Sequence, residues 1–180
     1  DRNLCLLPDG VSYLQAAALG CRTTTAYRAL IQQGRLQSGE VVAIFGCGGV
    51  GLSAVMIAAG AGATVIAVDV NAGALEKARQ VGANYVVNAS ADSDAAMDDS
   101  KGNSSVESVK AAVLALTDGV GADVCVDAAG FVSTCEAAVW CARRAGRVIQ
   151  VGLPLELRPE IPMARVAGWE LEIIGSHGAA

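Results

Sequence analysis

The chain has 180 residues, of which 53% are hydrophobic, 17% charged and 4% aromatic, so by length it is one domain with an interior of aliphatic side chains. A net charge of −5 gives no electrostatic reason to expect nucleic acid or an anionic membrane as a partner. A secretory signal is not expected either, because the chain does not open with a charged region followed by a short apolar one.

The segment before the first strand pattern does not follow the alternation of strands and helices found later in the chain. Its apolar spacing predicts two short helices, Ala16–Leu19 and Ala26–Ile31, separated by a break at residues 20–25. We interpret residues 1–35 as a connecting segment from a domain further upstream, and residues 36–180 as a separate domain.

The stretch from Val41 to Asp69 has no charged side chain before its final acid and carries the strongest functional signal. It is typical of an apolar β-branched strand, a glycine-rich turn, a helix and a second apolar strand. Gly46, Gly48 and Gly51 have the G-x-G-x-x-G spacing of dinucleotide-binding turns. In such turns the glycines permit a sharp bend, close approach of a pyrophosphate and tight packing of helix on strand. The free N–H groups that open the helix then form an anion site with its dipole.

Asp69 lies 18 residues beyond Gly51, near the ~20 expected for the acid that accepts hydrogen bonds from the adenosine ribose. An acid at this position repels a 2′-phosphate, so the pattern predicts NAD rather than NADP. Two other interpretations are a transmembrane span, which needs about 20 apolar residues, and a glycine turn in an α/β protein that binds no nucleotide. The six glycines and the β-branched bias disfavour the first, and the register of strand, helix and acid disfavours the second.

Further strand patterns alternate with helical patterns after this stretch. Six strands in two β-α-β-α-β halves predict an α/β fold, a doubly wound parallel six-stranded sheet (Rossmann fold) in the order 3-2-1-4-5-6. The ligand should lie across the carboxyl ends of the strands that begin at Val41 and Asp123. The last four strands are predicted at Tyr85–Val87, Asp123–Val126, Arg147–Val151 and Leu171–Ile174.

Residues 90–104 are small, polar and acidic without an apolar period, which predicts a surface loop insertion. Such a loop is either an additional binding loop or a mobile one without function. Three further helices have recognisable start or stop signals. The first is predicted to begin with a cap at Asn71 and to end at Gly82, and the second to begin with a capping box of Ser104 and Glu107. The third is predicted to begin with a capping box of Ser133 and Glu136 and to end at Gly146.

No C-x-x-C pair occurs among the six cysteines, and His177 is the one histidine, so a self-contained zinc knuckle is not expected. Cys125 lies in a strand pattern, and Cys135 and Cys141 lie in a helix pattern, which is typical of buried free thiols. Free thiols predict a reducing, cytoplasmic location. Cys47, within the glycine turn, is interpreted as a small residue that points into the sheet, and His177 as a surface or hydrogen-bonded residue rather than a catalytic one.

The chain resembles the zinc-dependent medium-chain alcohol dehydrogenases of the medium-chain dehydrogenase/reductase superfamily in AAALGCRTTTAYRAL, GEVVAIFGCGGVGLSAVMIA, VGLP and EIIGSHG. The similarity covers nearly all of the chain except residues 90–104. The Leu-Gly-Cys segment that precedes the glycine turn is much more specific for this family than the turn alone.

The resemblance implies an NAD cofactor, a catalytic zinc and an alcohol or aldehyde substrate in a parent enzyme, and a homo-oligomer formed through the edge of the sixth strand. Cys21 matches a zinc ligand, and Thr25 matches a position near the nicotinamide ring. Asp69 matches the acid on the adenosine ribose, with Val70 and Asn71 beside it. The other matched cofactor positions are Gly46, Cys47, Gly48, Gly49, Val50 and Gly51 in the pyrophosphate turn, Ala128 and Ala129 at the cleft, and Val151, Gly152 and Leu153, whose backbone faces the nicotinamide.

The family also uses a further cysteine, a histidine and a Gly-His-Glu segment in an upstream domain, and these do not occur in this sequence. Because a catalytic zinc takes three protein ligands and this chain offers one, we expect the chain to bind the dinucleotide but to be catalytically incomplete. No catalytic residue is therefore assigned. Two alternatives are a zinc-free NADPH-dependent quinone or enoyl reductase, which Asp69 and Cys21 disfavour, and a non-enzymatic NAD-sensing module.

Overall fold

The computed structural model describes residues 5–90, 102–154 and 158–178. Over these ranges, parallel strands form one sheet with helices on both of its faces. No helix among them has the length and apolar character needed to cross a membrane.

The segment before the sheet forms helical turns from Tyr13 to Gln33 that are interrupted at Gly20, so the predicted break at residues 20–25 is confirmed at Gly20, whereas residues 21–25 are helical. Helix α1 (Tyr13–Ala18) and helix α2 (Thr24–Tyr27) are joined through the wider, π-type turns Leu19–Thr23, and a second set, Arg28–Gln33, follows α2. Only Gly20 has non-helical dihedral angles there (φ −54°, ψ −111°). The Thr24 hydroxyl donates to the Gly20 carbonyl and so closes the chain across this irregularity.

The sheet contains six parallel strands in the order β3-β2-β1-β4-β5-β6, which confirms the predicted fold. Strand β1 pairs with β2 on one side and β4 on the other, so the strand order reverses at β1. Ligands of doubly wound folds bind at this reversal. The strands are β1 (Val41–Phe45), β2 (Thr64–Asp69), β3 (Tyr85–Asn88), β4 (Ala122–Asp127), β5 (Ala142–Gln150) and β6 (Glu172–Gly175).

Both faces of the sheet are buried against helices. Side chains of successive strand residues point to opposite faces and so enter different core clusters. Val42 and Ile44 of β1 belong to one core cluster, whereas Ala43 and Phe45 belong to the other. The remaining helices are α3 (Gly49–Gly60), α4 (Ala72–Gln80), α5 (Gly102–Ala115), α6 (Val132–Cys141) and α7 (Met163–Gly168).

The helical segment before β1 is part of this core rather than detached from it. Ala26, Ala29 and Leu30 are fully buried in the cluster that also holds Val42. Arg147 of β5, 8% exposed, donates to the Gly34 carbonyl at 2.6 Å and forms an ion pair with Glu40. The side of the sheet near β5 therefore fixes where the helical segment ends.

The predicted boundaries of α4 are confirmed, since the Asn71 side chain accepts from the Ala74 N–H at 3.1 Å and Gly82 follows the helix with φ +120°. Helix α5 begins at Gly102, so residues 102–104 of the predicted loop are already helical, and the Ser104 cap is wrong. The rest of that loop lies outside the described residues, except Ser90, which is in a turn.

The predicted start and end of α6 are wrong. The helix begins at Val132, where the Phe131 N–H donates to the Thr134 hydroxyl at 3.0 Å, so Ser133 is not its cap. It ends at Cys141 and not at Gly146, which lies inside β5. The physical reason is Arg165, whose guanidinium donates to the carbonyls of Val139, Trp140 and Ala142 and thus replaces a glycine as the C-terminal cap.

Candidate cofactor site

The turn between β1 and α3 has the backbone geometry that was predicted from its glycines. Gly46 has φ +91°, a conformation that residues with a side chain rarely adopt, and a Cβ atom there would lie 2.8 Å from the Cβ of Ala129. A Cβ at Gly51 would lie 1.8 Å from the Gly46 carbonyl oxygen, so helix and strand can meet this closely only with glycine at position 51. Gly48 has no atom within 4 Å of such a Cβ, which leaves its backbone open to a ligand.

The N-terminus of α3 has no cap of its own. Gly48 is its N-cap residue and provides no side-chain acceptor, and no acidic residue lies in the first turn. The first N–H groups of a helix lack intrahelical partners and carry the positive end of its dipole. The turn therefore leaves backbone donors that an anion can accept.

Asp69, the last residue of β2, connects this turn to the next one. One carboxylate oxygen accepts from the Cys47 N–H at 2.6 Å, and the other accepts from the Asn71 N–H at 2.8 Å. A carboxylate has about four lone-pair positions, so both oxygens can still accept from a ribose hydroxyl. Val70, beside it, is 65% exposed.

The Cys47 side chain points into the core, which confirms the sequence interpretation. It is 3% exposed and packs in the cluster that holds Val42. Burial, with a smaller contribution from Asp69, raises the pKa of the Cys47 thiol to about 12. The Cys47 side chain therefore faces the core and not the exposed surface of the turn.

Asp127, at the carboxyl end of β4, is a site residue that the sequence analysis missed. Its side chain is completely buried and accepts from the N–H groups of Ala129 and Gly130, both at 3.0 Å. Its other oxygen accepts from the Gln150 amide at 2.6 Å and from the Cys135 thiol at 3.1 Å. An acid that directly follows the apolar run of residues 124–126 was the available signal.

The Asp127 network joins the turns that follow β4 and β5. The Gln150 amide also donates to the Gly152 carbonyl at 2.8 Å, and the Asp127 carbonyl accepts from the Val151 and Gly152 N–H groups. A Cβ at Gly152 would lie 2.2 Å from the Gly130 nitrogen, so the two turns pack backbone against backbone. The predicted positions Ala128, Ala129, Val151, Gly152 and Leu153 therefore lie on one continuous edge.

Two predicted positions lie in the helical segment instead. Cys21 is exposed, and Thr25 is buried at 7% exposure. This segment reaches α3, since the Thr23 hydroxyl lies 3.4 Å from the Ser53 hydroxyl and the Arg22 side chain contacts Gly49. In the described part of the chain, no group of three or more His, Cys, Asp or Glu residues could hold a metal ion. His177 is exposed after β6.

Comparison with known proteins gives a consistent result. The sequence profile of the zinc-binding dehydrogenase family matches residues 49–180. An alcohol dehydrogenase of Geobacillus stearothermophilus is 38% identical over 170 residues, which cover 94% of this chain and 45% of the relative. An NAD-dependent alcohol dehydrogenase of Sulfurisphaera tokodaii is 32% identical over 168 residues, which cover 92% of this chain and 44% of the relative.

Solved structures agree with these relatives. The alcohol dehydrogenase of the archaeon Aeropyrum pernix has a TM-score of 0.79 and 34% identity, over 98% of this chain and 47% of that one. A quinone oxidoreductase of Pseudomonas syringae has a TM-score of 0.75 and 26% identity, over 96% of this chain and 49% of that one. The chain thus spans less than half the length of each of these proteins. It belongs to the zinc-binding dehydrogenase family and corresponds to the cofactor-binding domain of a medium-chain dehydrogenase/reductase.

Proposed function

We propose that the chain is the NAD-binding domain of a zinc-dependent alcohol dehydrogenase, which transfers a hydride between an alcohol and NAD to give an aldehyde or ketone. The observation that carries this proposal is the turn of Gly46, Gly48 and Gly51. Two of its glycines cannot carry a side chain, the third is open, and all lie beside an uncapped helix N-terminus. This is the shape and polarity that a pyrophosphate requires.

The edge of the sheet then has a place for each part of the cofactor. The N–H groups at the start of α3 would hold the pyrophosphate, and Asp69 would accept from the adenosine ribose, with Val70 and Asn71 beside it. The nicotinamide would lie against the turns that follow β4 and β5, near Thr25. When bound, the nicotinamide supplies the hydride acceptor.

The described residues do not form a zinc site by themselves. A catalytic zinc takes three protein ligands, and only Cys21 is a candidate. We propose that Cys21 is one ligand in the full enzyme and that the 180-residue chain binds the cofactor without turning over an alcohol. Strand β6 pairs with β5 on one side only, and we propose its other edge as the contact in a homo-oligomer.

A second candidate, favoured by the similarity to a quinone oxidoreductase, is the cofactor domain of a zinc-free, NADPH-dependent reductase. The two candidates differ at the adenosine ribose. Asp69 presents a carboxylate held by two backbone N–H groups, and it would repel a 2′-phosphate. This favours NAD.

The test is a calorimetric titration of the chain with NADH and with NADPH. We expect NADH to bind more tightly, and we expect Asp69→Asn to reduce the difference because it removes the charge but keeps an acceptor. Asp118→Asn is the matched control, since Asp118 is exposed in the turn after α5. Equal or tighter binding of NADPH by the wild-type chain would contradict the assignment and favour the reductase.

A further inference from the structure

Arg22, in the helical segment before the sheet, lies directly against the glycine turn. A Cβ atom at Gly49 would lie 2.5 Å from Arg22 Cδ, 2.6 Å from Nε and 3.0 Å from Cζ. The Arg22 side chain therefore occupies the space that any side chain at position 49 would need. Gly49 is the first residue of α3, so the guanidinium lies beside the uncapped N-terminus of that helix.

This arrangement places two positive groups together with no acid between them. The N-terminus of α3 carries the positive end of the helix dipole, and its first turn contains no acidic residue. Arg22 is exposed, and no described residue forms a hydrogen bond or ion pair with it. Asp69, on the neighbouring strand, directs its carboxylate to the Cys47 and Asn71 N–H groups instead. An anion bound there would interact favourably with both positive groups.

We propose that Arg22 binds the pyrophosphate of the dinucleotide together with the N-terminus of α3, and that Gly49 is the residue that admits the arginine. The inference rests on the proposed function, because it takes the pyrophosphate to lie at this turn. Guanidinium is always charged and can bind phosphate oxygens through two parallel N–H groups. It also gives a role to the glycine at position 49, which the G-x-G-x-x-G pattern leaves without one.

The test compares affinities of three probes, NADH, adenosine and inorganic pyrophosphate, for the wild-type chain and four variants. Arg22→Ala removes the guanidinium. Gly49→Ala displaces it through the added Cβ, and the double variant shows whether the two act together. Arg79→Ala is the matched control, because Arg79 is an exposed arginine in the last turn of α4 whose side chain has no partner among the described residues.

We expect Arg22→Ala to weaken NADH binding by roughly 10- to 100-fold, the range for hydrogen bonds to charged groups, and to leave adenosine binding unchanged. Gly49→Ala should weaken NADH binding in the wild-type background but have little further effect in the Arg22→Ala background. Arg79→Ala should bind NADH like the wild-type chain. Inorganic pyrophosphate that binds as tightly as NADH would identify a free anion, rather than the cofactor, as the ligand of Arg22, and would overturn the proposal.

The proposal also fails if Arg22→Ala binds NADH within twofold of the wild-type chain, or if Gly49→Ala weakens binding equally in both backgrounds. In either case the proposed function still stands, because the wild-type chain binds NADH. If the wild-type chain binds neither NADH nor adenosine, the proposed function itself has failed. Circular dichroism of each variant verifies that the exposed substitutions leave the fold intact.

Discussion

Replacement of Asp127 by asparagine tests the network that joins the turns after β4 and β5. Asparagine has the same shape, and its carbonyl oxygen can still accept from the Ala129 and Gly130 N–H groups. Its amide nitrogen, however, would face the Gln150 amide nitrogen, which lies 2.6 Å from the present carboxylate oxygen. Two donors then meet at a site that is completely buried.

The expected cost follows from the hydrogen bonds lost. Gln150 can present its carbonyl oxygen to the introduced asparagine only by rotating its amide, which gives up the bond to the Gly152 carbonyl. At least one charge-assisted bond is lost either way, at about 1.5–3 kcal/mol, and a buried polar group is left without a partner. We expect the free energy of unfolding of Asp127→Asn to fall by about 2–4 kcal/mol.

The assay is urea unfolding followed by circular dichroism, together with the affinity for NADH. Asp123→Asn is the control, because Asp123 lies near the opposite end of β4, where it accepts from the Val41 N–H at 2.8 Å and pairs with Arg143. Both variants should lose stability, but only Asp127→Asn should weaken NADH binding, by about tenfold or more. If Asp127→Asn unfolds within about 0.5 kcal/mol of the wild-type chain, or if Asp123→Asn weakens NADH binding equally, the reasoning is refuted.

The glycine turn and the buried thiols each give a further prediction. Gly51→Ala should lower both the free energy of unfolding and the affinity for NADH, because the added Cβ would meet the Gly46 carbonyl. Gly60→Ala is the control in the same helix, because no atom lies within 4 Å of its added Cβ. In urea unfolding it should be neutral or stabilising by up to about 1 kcal/mol. Burial raises the pKa of Cys47, Cys135 and Cys141 to about 12 from an ordinary value of 9.0, so above pH 9 the unfolded chain releases thiol protons that the folded chain retains. The free energy of unfolding should therefore fall as pH rises from 9 toward 12. Cys141→Ala removes one of these thiols and should make the fall with pH less steep, and an unchanged dependence on pH would contradict this explanation.

The sheet could be predicted from sequence because its strands are buried on both faces. Runs such as Val41–Phe45 contain only apolar residues, and the alternation with helices restricts the order of parallel strands. The glycine turn was equally readable, since the geometry at Gly46 and Gly51 excludes side chains whatever surrounds the turn. Local chemistry determines these features.

Tertiary contacts determine the features that were missed. Helix α6 ends where Arg165, 24 residues beyond Cys141, caps its carbonyls, and no local pattern reports that contact. The start of the first helix was missed although it was readable, because Ser12 and Gln15 form a capping box. The helical turns resume directly after the interruption at Gly20, where the Thr24 hydroxyl donates to the Gly20 carbonyl.

The residues of the candidate site also fall into those that local sequence predicts and those that tertiary contacts determine. The positions that we propose to contact the cofactor through glycine or backbone follow from the motif and the family resemblance. Asp127 and Gln150, which bond to each other, lie 23 residues apart, and Arg22 lies 27 residues before Gly49. Only the folded chain brings those partners together.

The most direct test of cofactor binding at this edge is an NMR titration of the ¹⁵N-labelled chain with NADH, in which the chemical shift of each backbone amide is followed. If the account is correct, the largest changes occur at residues 46–51, 69–71, 128–130 and 151–153, while the amides near the opposite end of β4 stay unchanged. Unchanged amides in the glycine turn, or changes confined to another face of the sheet, would contradict binding of the cofactor at this edge.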